Sequence, residues 1–222
     1  RDCEDRADAL AIIDIANGGY IPATENTDDF KTRIQNSKVT NAVSTLEARG
    51  LNSSYACCFY PWVKIVDQIS DARVWVPPSV AALGTFASTE RESELWFAPA
   101  GFTRGGLSDG AAGLPVVSVS QRVSSKERDE LYEANINPIA QFPAEGIVVF
   151  GQKTLQITPS ALDRINVRRL MIFVKKEISR IAARLLFDQN VQATWDRFRG
   201  QVEPFLDSVK SRFGLTEFRV IL

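Results

Sequence analysis

Asp163-Arg164-Ile165-Asn166-Val167-Arg168-Arg169-Leu170-Met171-Ile172-Phe173-Val174-Lys175-Lys176-Glu177-Ile178-Ser179-Arg180-Ile181-Ala182-Ala183-Arg184-Leu185-Leu186-Phe187 is the stretch from which the rest of the chain is read. Apolar residues recur at Val167, Leu170, Met171, Val174, Ile178, Ile181, Ala182 and Leu185, the spacing of an α-helix. At about 100° per residue they fall on one stripe, with Arg169, Lys176, Arg180 and Arg184 on the opposite face. Asp163 or Asn166 is placed to cap the start. The cations Arg168, Arg169, Lys175, Lys176, Arg180 and Arg184 stand against Glu177 alone, and Phe173 sits among them, off the apolar stripe. Two readings stay open: a core helix with a solvated basic face, and a docking face for an acidic partner.

Downstream, Trp195, Phe198, Val202, Phe205, Leu206, Val209 and Phe213 again keep helical spacing, with Glu203-Pro204 expected to kink or restart the helix. Gly214 ends it, and Glu217 to Leu222 reads as a last strand. Upstream, Arg1 to Asp8 reads as the last turns of a helix, and Ala9 to Ile15 as a strand buried on both faces, closed by Asn17-Gly18-Gly19. Thr27, Asp28 and Asp29 open a helix through Phe30, Ile34, Val39, Val43 and Leu46 to Gly50. Tyr55 to Val66 is aromatic and β-branched and reads as a strand that Pro61 restricts to an edge, a bulge or a break.

Pro77-Pro78-Ser79 leads into a small-residue helix from Val80 to Arg91. A glycine-rich loop follows Gly101. Val116 to Val119, Gly146 to Gly151 and Thr154 to Ile157 read as strands, and a helix capped by Ser124 or Ser125 runs from Lys126 to Ala134 until Asn135-Ile136-Asn137-Pro138 stops it. Strands and helices alternate, so the fold class is α/β (α+β), a mixed β-sheet flanked by helices.

Composition narrows the functions. The chain has 222 residues, 24% of them charged, with a net charge of −1. No overall field favours nucleic acid or a membrane surface, and no apolar run approaches the ~20 residues of a membrane span. Histidine is absent, which excludes His-based acid–base chemistry, Ser-His-Asp and Cys-His nucleophile pairs, and histidine metal sites. The three cysteines, Cys3, Cys57 and Cys58, do not make a disulfide framework and fit a reducing compartment; the adjacent pair reads as core thiols. The loop around Gly105-Gly106 lacks the Gly-Lys-Ser/Thr of a P-loop and reads as a surface loop. Acidic runs at Glu4 to Asp8, Glu90 to Glu94 and Glu127 to Glu130 read as solvated faces, and Trp62, Trp75, Trp96 and Trp195 as core. Catalytic, cofactor and metal residues are therefore expected to be none. The chain starts at Arg1 without Met and stops on Val220-Ile221-Leu222; both ends read as cut, so a piece of a longer polypeptide is expected.

A family does match in block order. Pro61-Trp62-Val63-Lys64, Val76-Pro77-Pro78-Ser79, Trp96 to Gly105, Arg128 to Pro138, Phe150 to Thr154, Asp163 to Leu170, Phe187 to Asn190 and Phe218-Arg219-Val220 together resemble the tail sheath proteins of contractile-tailed bacteriophages of the T4-like kind. The resemblance covers residues 54–222, with 1–53 less distinct, and implies that 1–222 is one domain: the conserved C-terminal core of a sheath subunit. It implies no enzyme and no cofactor. It implies a homo-oligomer of six-fold rings stacked helically around an inner tail tube protein, bounded by a baseplate and a tail terminator. That assembly has no direct nucleic acid contact and no membrane insertion, is built in the host bacterial cytoplasm and is carried in the virion. Contraction drives the tube through the host envelope. Within this picture Arg168, Arg169, Phe173, Lys176, Arg180 and Arg184 are expected to face the tube. Phe218, Arg219, Val220, Ile221 and Leu222 are expected to pair as a strand with a neighbouring subunit. Two alternatives stand beside it: the sheath of a related pyocin or secretion apparatus, and an α/β enzyme using Asp, Glu or Lys around the glycine loop.

Overall fold

The computed structural model describes residues 2–15, 38–69, 71–108, 113 and 115–221. The expected turn at Asn17-Gly18-Gly19 and the helix entry at Thr27, Asp28, Asp29, Phe30 and Ile34 lie outside the described residues. Along the chain the elements are α1 (Asp2–Arg6), β1 (Ala11–Asp14), α2 (Val39–Glu47), β2 (Ala56–Tyr60), β3 (Val63–Val66), β4 (Arg73–Val76), α3 (Pro78–Glu92), α4 (Gly101–Arg104), β5 (Val116–Val119), α5 (Ser125–Glu133), β6 (Ile136–Phe142), β7 (Gly146–Val149), α6 (Ile165–Ala183) and α7 (Gln192–Ser211).

They build the expected mixed α/β arrangement, but on two sheets. The larger has the order β1-β2-β6-β7, with β1 and β6 parallel to β2 and β7 antiparallel to β6. The smaller, β4-β3-β5, is antiparallel. The run from Tyr55 to Val66 is divided between them at a cis Tyr60–Pro61 bond, because proline has no N–H to give to a ladder and pairing stops there.

The side-chain alternation of β2 sorts the core into two layers. Cys57 and Phe59 pack with Ala81, Ala82 and Phe86 of α3 and with Val63 and Val116 of the smaller sheet. Ala56, Cys58 and Tyr60 point the other way, onto Val39, Ala42 and Leu46 of α2 and Leu131 of α5. Alanines on α3 let it lie close to the sheet, and its buried hydroxyls donate to the preceding turn, Thr85 to the Ala81 carbonyl and Thr89 to that of Thr85. Asp14, at the end of β1, accepts from the Ser79 N–H (3.0 Å) and its hydroxyl (2.5 Å), fixing the first turn of α3. Ser124 and Glu127 form a capping box on α5. Gly50, just past α2, has φ +56°, a conformation that glycine adopts without strain.

Four expectations change. Asn135 to Pro138 does stop a helix, but it opens β6, a strand not expected there; Pro138 is tolerated because it closes the β2 register opposite Tyr60. Thr154 to Ile157 is not a strand, since its backbone is used elsewhere: Thr154 N–H donates to Asp163 O, Leu155 N–H to Ala56 O, and Ile157 N–H to the Asn52 side chain. Pro204 does not restart the helix: it lies inside α7, which runs on to Ser211. Residues 217–221 form no strand and pair with no strand among the described residues, and Leu222 lies outside them.

Candidate interaction surface

Helices α6 and α7 form an antiparallel hairpin whose root is packed and whose far end is exposed. At the root, Trp96, Leu170 and Val209 are buried together, with Phe173, Val174, Phe205 and Leu215 against them. Trp96 donates its indole N–H to the Arg212 carbonyl at 3.0 Å, and Arg212 pairs with Glu94 at 2.9 Å. These bonds tie α7 to the segment between α3 and α4.

The basic residues of α6 divide by position. Arg168 is buried, at 7% exposure; its guanidinium stacks 4.0 Å from the Tyr55 ring and donates to the Ser54 hydroxyl. Arg169 lies 4.9 Å from the Phe86 ring and pairs with Glu90 at 3.3 Å, so it clamps α6 to α3. Burial pulls its pKa below the ordinary arginine value, with Glu90 opposing the shift. Phe173 packs in tilted geometry against the rings of Trp96 (centroids 6.0 Å apart) and Phe205 (5.8 Å). These three point into the subunit, and the outward placing of Arg169 and Phe173 on a helical wheel is corrected: α3, Trp96 and α7 cover that face at the root. Beyond the root that face is exposed among the described residues. Lys175, Lys176, Arg180 and Arg184 are exposed, with Glu177 paired to Arg180 at 2.5 Å.

The hairpin ends in apolar residues that periodicity did not single out as a surface. Leu186, Val191 and Trp195 are exposed and Phe187 is 96% exposed; Trp195, expected in the core, donates its N–H to Asn190 at 2.7 Å. The signal was the apolar run Leu185-Leu186-Phe187 directly before the polar turn Asp188-Gln189-Asn190. In the C-terminal segment Arg219 and Ile221 are exposed and Phe218 and Val220 half-buried. The surface is therefore a cationic helix face with an aromatic tip and a separate C-terminal segment of mixed polarity.

The glycine loop serves packing. Residues 105–107 run along β7, with Val149 N–H donating to Gly105 O and Leu107 N–H to Ile147 O, both at 2.8 Å. A Cβ on Gly105 would lie 2.5 Å from Val149 O, so only glycine allows this approach. Gly110 lies outside the described residues. Cys57 and Cys58 are fully buried, as expected of core thiols, and burial pushes Cys58 up to about 12 and Cys57 higher still. Among the described residues no group of three or more His, Cys, Asp or Glu is placed to hold a metal ion, and no helix is long and apolar enough to cross a membrane.

No protein-family profile matches the chain. Curated relatives do. The tail sheath protein of Vibrio phage KVP40 is 33% identical over 199 residues, 90% of this chain. That of Enterobacteria phage T4 is 35% identical over 70% of the chain, and that of Salmonella phage ViI 30% identical over 92%. The chain spans 28%, 23% and 32% of the length of these relatives. Its fold is similar to a chain of the PVC extracellular contractile injection system sheath in the contracted state, with TM-score 0.69 and 24% identity, covering 96% of this chain and 58% of that one. A chain of the contracted anti-feeding prophage baseplate gives TM-score 0.63 and 26% identity over 93% of this chain and 50% of that one.

Proposed function

From a chain that belongs by sequence to the tail sheath proteins of contractile phages, we propose that it is the core domain of a sheath subunit, with a structural role and no catalysis. Copies assemble as six-fold rings stacked helically around an inner tail tube, between a baseplate and a tail terminator, in the host bacterial cytoplasm. On triggering, the sheath shortens and widens and drives the tube through the host envelope. Tail sheath proteins are virion components, and the virion is where this chain acts. The observation that carries the reading is identity of 30–35% sustained over 70–92% of the chain.

Residues 1–222 act as one domain, a reading supported by β1 of the N-terminal part pairing in parallel with β2. Of the six residues expected at the tube, Lys176, Arg180 and Arg184 make the contact, while Arg168, Arg169 and Phe173 hold the helix that presents them. A cationic face grips firmly at close range yet releases without exposing a large apolar surface. Phe218, Arg219, Val220, Ile221 and Leu222 become a strand when a neighbouring subunit offers a sheet edge, which supplies the hydrogen bonds the segment lacks alone.

Electron microscopy of the full-length protein tests the assembly: long tubular polymers or rings are expected, and dispersed particles at all concentrations refute it. Charge reversal by Lys176→Glu with Arg180→Glu tests the face. It should block assembly on tubes, and normal polymerisation and contraction by this variant would remove these residues from the interface. The likeness to injection-system chains supports a second reading, the sheath of such a machine, which tail length distinguishes from a phage.

A further inference from the structure

Helix α5 is a ridge between two unlike flanks. On one side a groove separates it from α2, with two adjoining hollows of about 280 and 380 Å³. Its floor is apolar, with the buried Leu46 and Leu155, and its rim carries the exposed Ile157 with Glu47, Glu130 and Glu133. The other side is aromatic and mainly cationic, with Asp129 the carboxylate that lines its hollow. Phe102, Phe142 and Phe150 form a triangle with centroids 5.0–5.6 Å apart. The Arg128 guanidinium lies 5.3 Å from Phe142 and 5.9 Å from Phe150. Next to them the Lys153 ammonium sits 3.8 Å from the Tyr132 ring, and Arg164 donates to the Tyr132 hydroxyl at 3.0 Å. Phe102, Phe150 and Tyr132 are 51%, 40% and 41% exposed.

Clustered aromatics backed by arginine are what protein interfaces are enriched in, and exposed together they mark an interaction site. The groove supplies the matching chemistry, an apolar floor for the rings and carboxylates for the cations. Within one copy the two surfaces cannot meet. At about 100° per residue Arg128 and Tyr132 share one side of α5 and Glu130 and Glu133 another. A contact between them must therefore join different copies, and it is heterologous: each copy uses one surface and leaves the other free, which builds rings or open helices.

We propose that the acidic groove between α2 and α5 of one copy receives the aromatic–cationic patch of the next. The proposal rests on the sheath reading in that its partner is a second copy, but it uses none of the residues assigned to the tube or to strand exchange.

A charge swap in the full-length protein tests it. The groove variant is Glu130→Lys with Glu133→Lys, the patch variant Arg128→Glu with Lys153→Glu, and a third carries all four. Critical concentration for polymerisation is read by sedimentation, with folding checked by far-UV circular dichroism. Each pair alone juxtaposes like charges and should raise the critical concentration about tenfold or more. The fourfold variant restores opposite signs and should recover most of that loss. Indifferent pairs, or a fourfold variant no better than either pair, overturn the proposal. So do pairs that spare self-assembly yet lose binding to tubes, since another protein would then occupy the groove. A second readout leaves the charges of the patch alone: Glu47→Cys with Phe102→Cys should form intermolecular disulfides in the polymer, and their absence refutes the contact. A wild-type protein that never polymerises refutes the sheath reading itself, so the two failures are distinguishable.

Discussion

Replacing Asn137 by alanine should cost about 3 kcal/mol of stability, although the residue touches no proposed interface. Asn137 is buried in β6. Its amide donates to the Cys58 carbonyl at 2.9 Å and to the Lys153 carbonyl at 2.8 Å, and its oxygen accepts from the Lys153 N–H at 2.5 Å. It thereby clips residues 151–153, whose other backbone pairing is the isolated bridge of Lys153 with Arg164, onto the central pair β2 and β6. The fit is close, since a Cβ on Gly151 would lie 2.9 Å from the Asn137 oxygen. Each bond contributes about 1 kcal/mol net, and the groups left without a partner raise the total toward the upper end of the range. Urea unfolding followed by circular dichroism measures it. With a slope of about 2–3 kcal/mol/M the midpoint should fall by about 1–1.5 M at unchanged slope. Asn137→Asp should not rescue: a carboxylate accepts from Lys153 N–H but cannot donate to two carbonyls, and it buries charge. A loss below about 1 kcal/mol for alanine, or full rescue by aspartate, would show that the clip does not hold this part of the fold.

Other outcomes follow from the packing. Gly105→Ala should lower the melting temperature by about 4–8 °C, because the new Cβ meets the Val149 carbonyl at 2.5 Å and neither backbone segment yields cheaply; an unchanged melt would refute the close approach. Ser124→Ala removes one half of the capping box and should cost about 1 kcal/mol in the same assay. Glu127 accepts from the Ser124 N–H and hydroxyl, which hold its carboxyl below the usual range. Its folded pKa is therefore below the unfolded one, and its contribution is present above the unfolded value and lost as pH falls through the folded one. The stability difference between wild type and Glu127→Gln should shrink below about pH 4, and a difference constant with pH would contradict the cap. Alkylation of the native protein near pH 8, about the ordinary thiol pKa, should label Cys3 while Cys57 and Cys58 stay protected until urea unfolds the chain. Equal labelling of all three in the native state would place the pair outside the core.

Much of the fold was legible because its signals are local. The α6 helix shows in its spacing, the Ser124–Glu127 cap in two residues three apart, and the break at Pro61 in a missing donor. The strand β6 was not legible: Asn135 to Pro138 reads as a helix stop, and nothing local says that Ile136, Ile139 and Ala140 will lie between β2 and β7. The apparent strand at Thr154 to Ile157 fails for the converse reason, since pairing depends on a partner that sequence spacing does not supply.

By itself the sequence determined the helical period of α6, its concentration of positive charge, the absence of histidine chemistry, and the order of motifs that marks the sheath family. Only the tertiary structure decided which of those charges face outward. Periodicity assigns residues to a side of a helix, but what lies against that side comes from elements distant in the chain. Glu90, Phe86 and Tyr55 draw Arg169 and Arg168 inward, and Trp96 and Phe205 enclose Phe173. Past Lys175 the described residues leave Lys176, Arg180 and Arg184 of that face exposed.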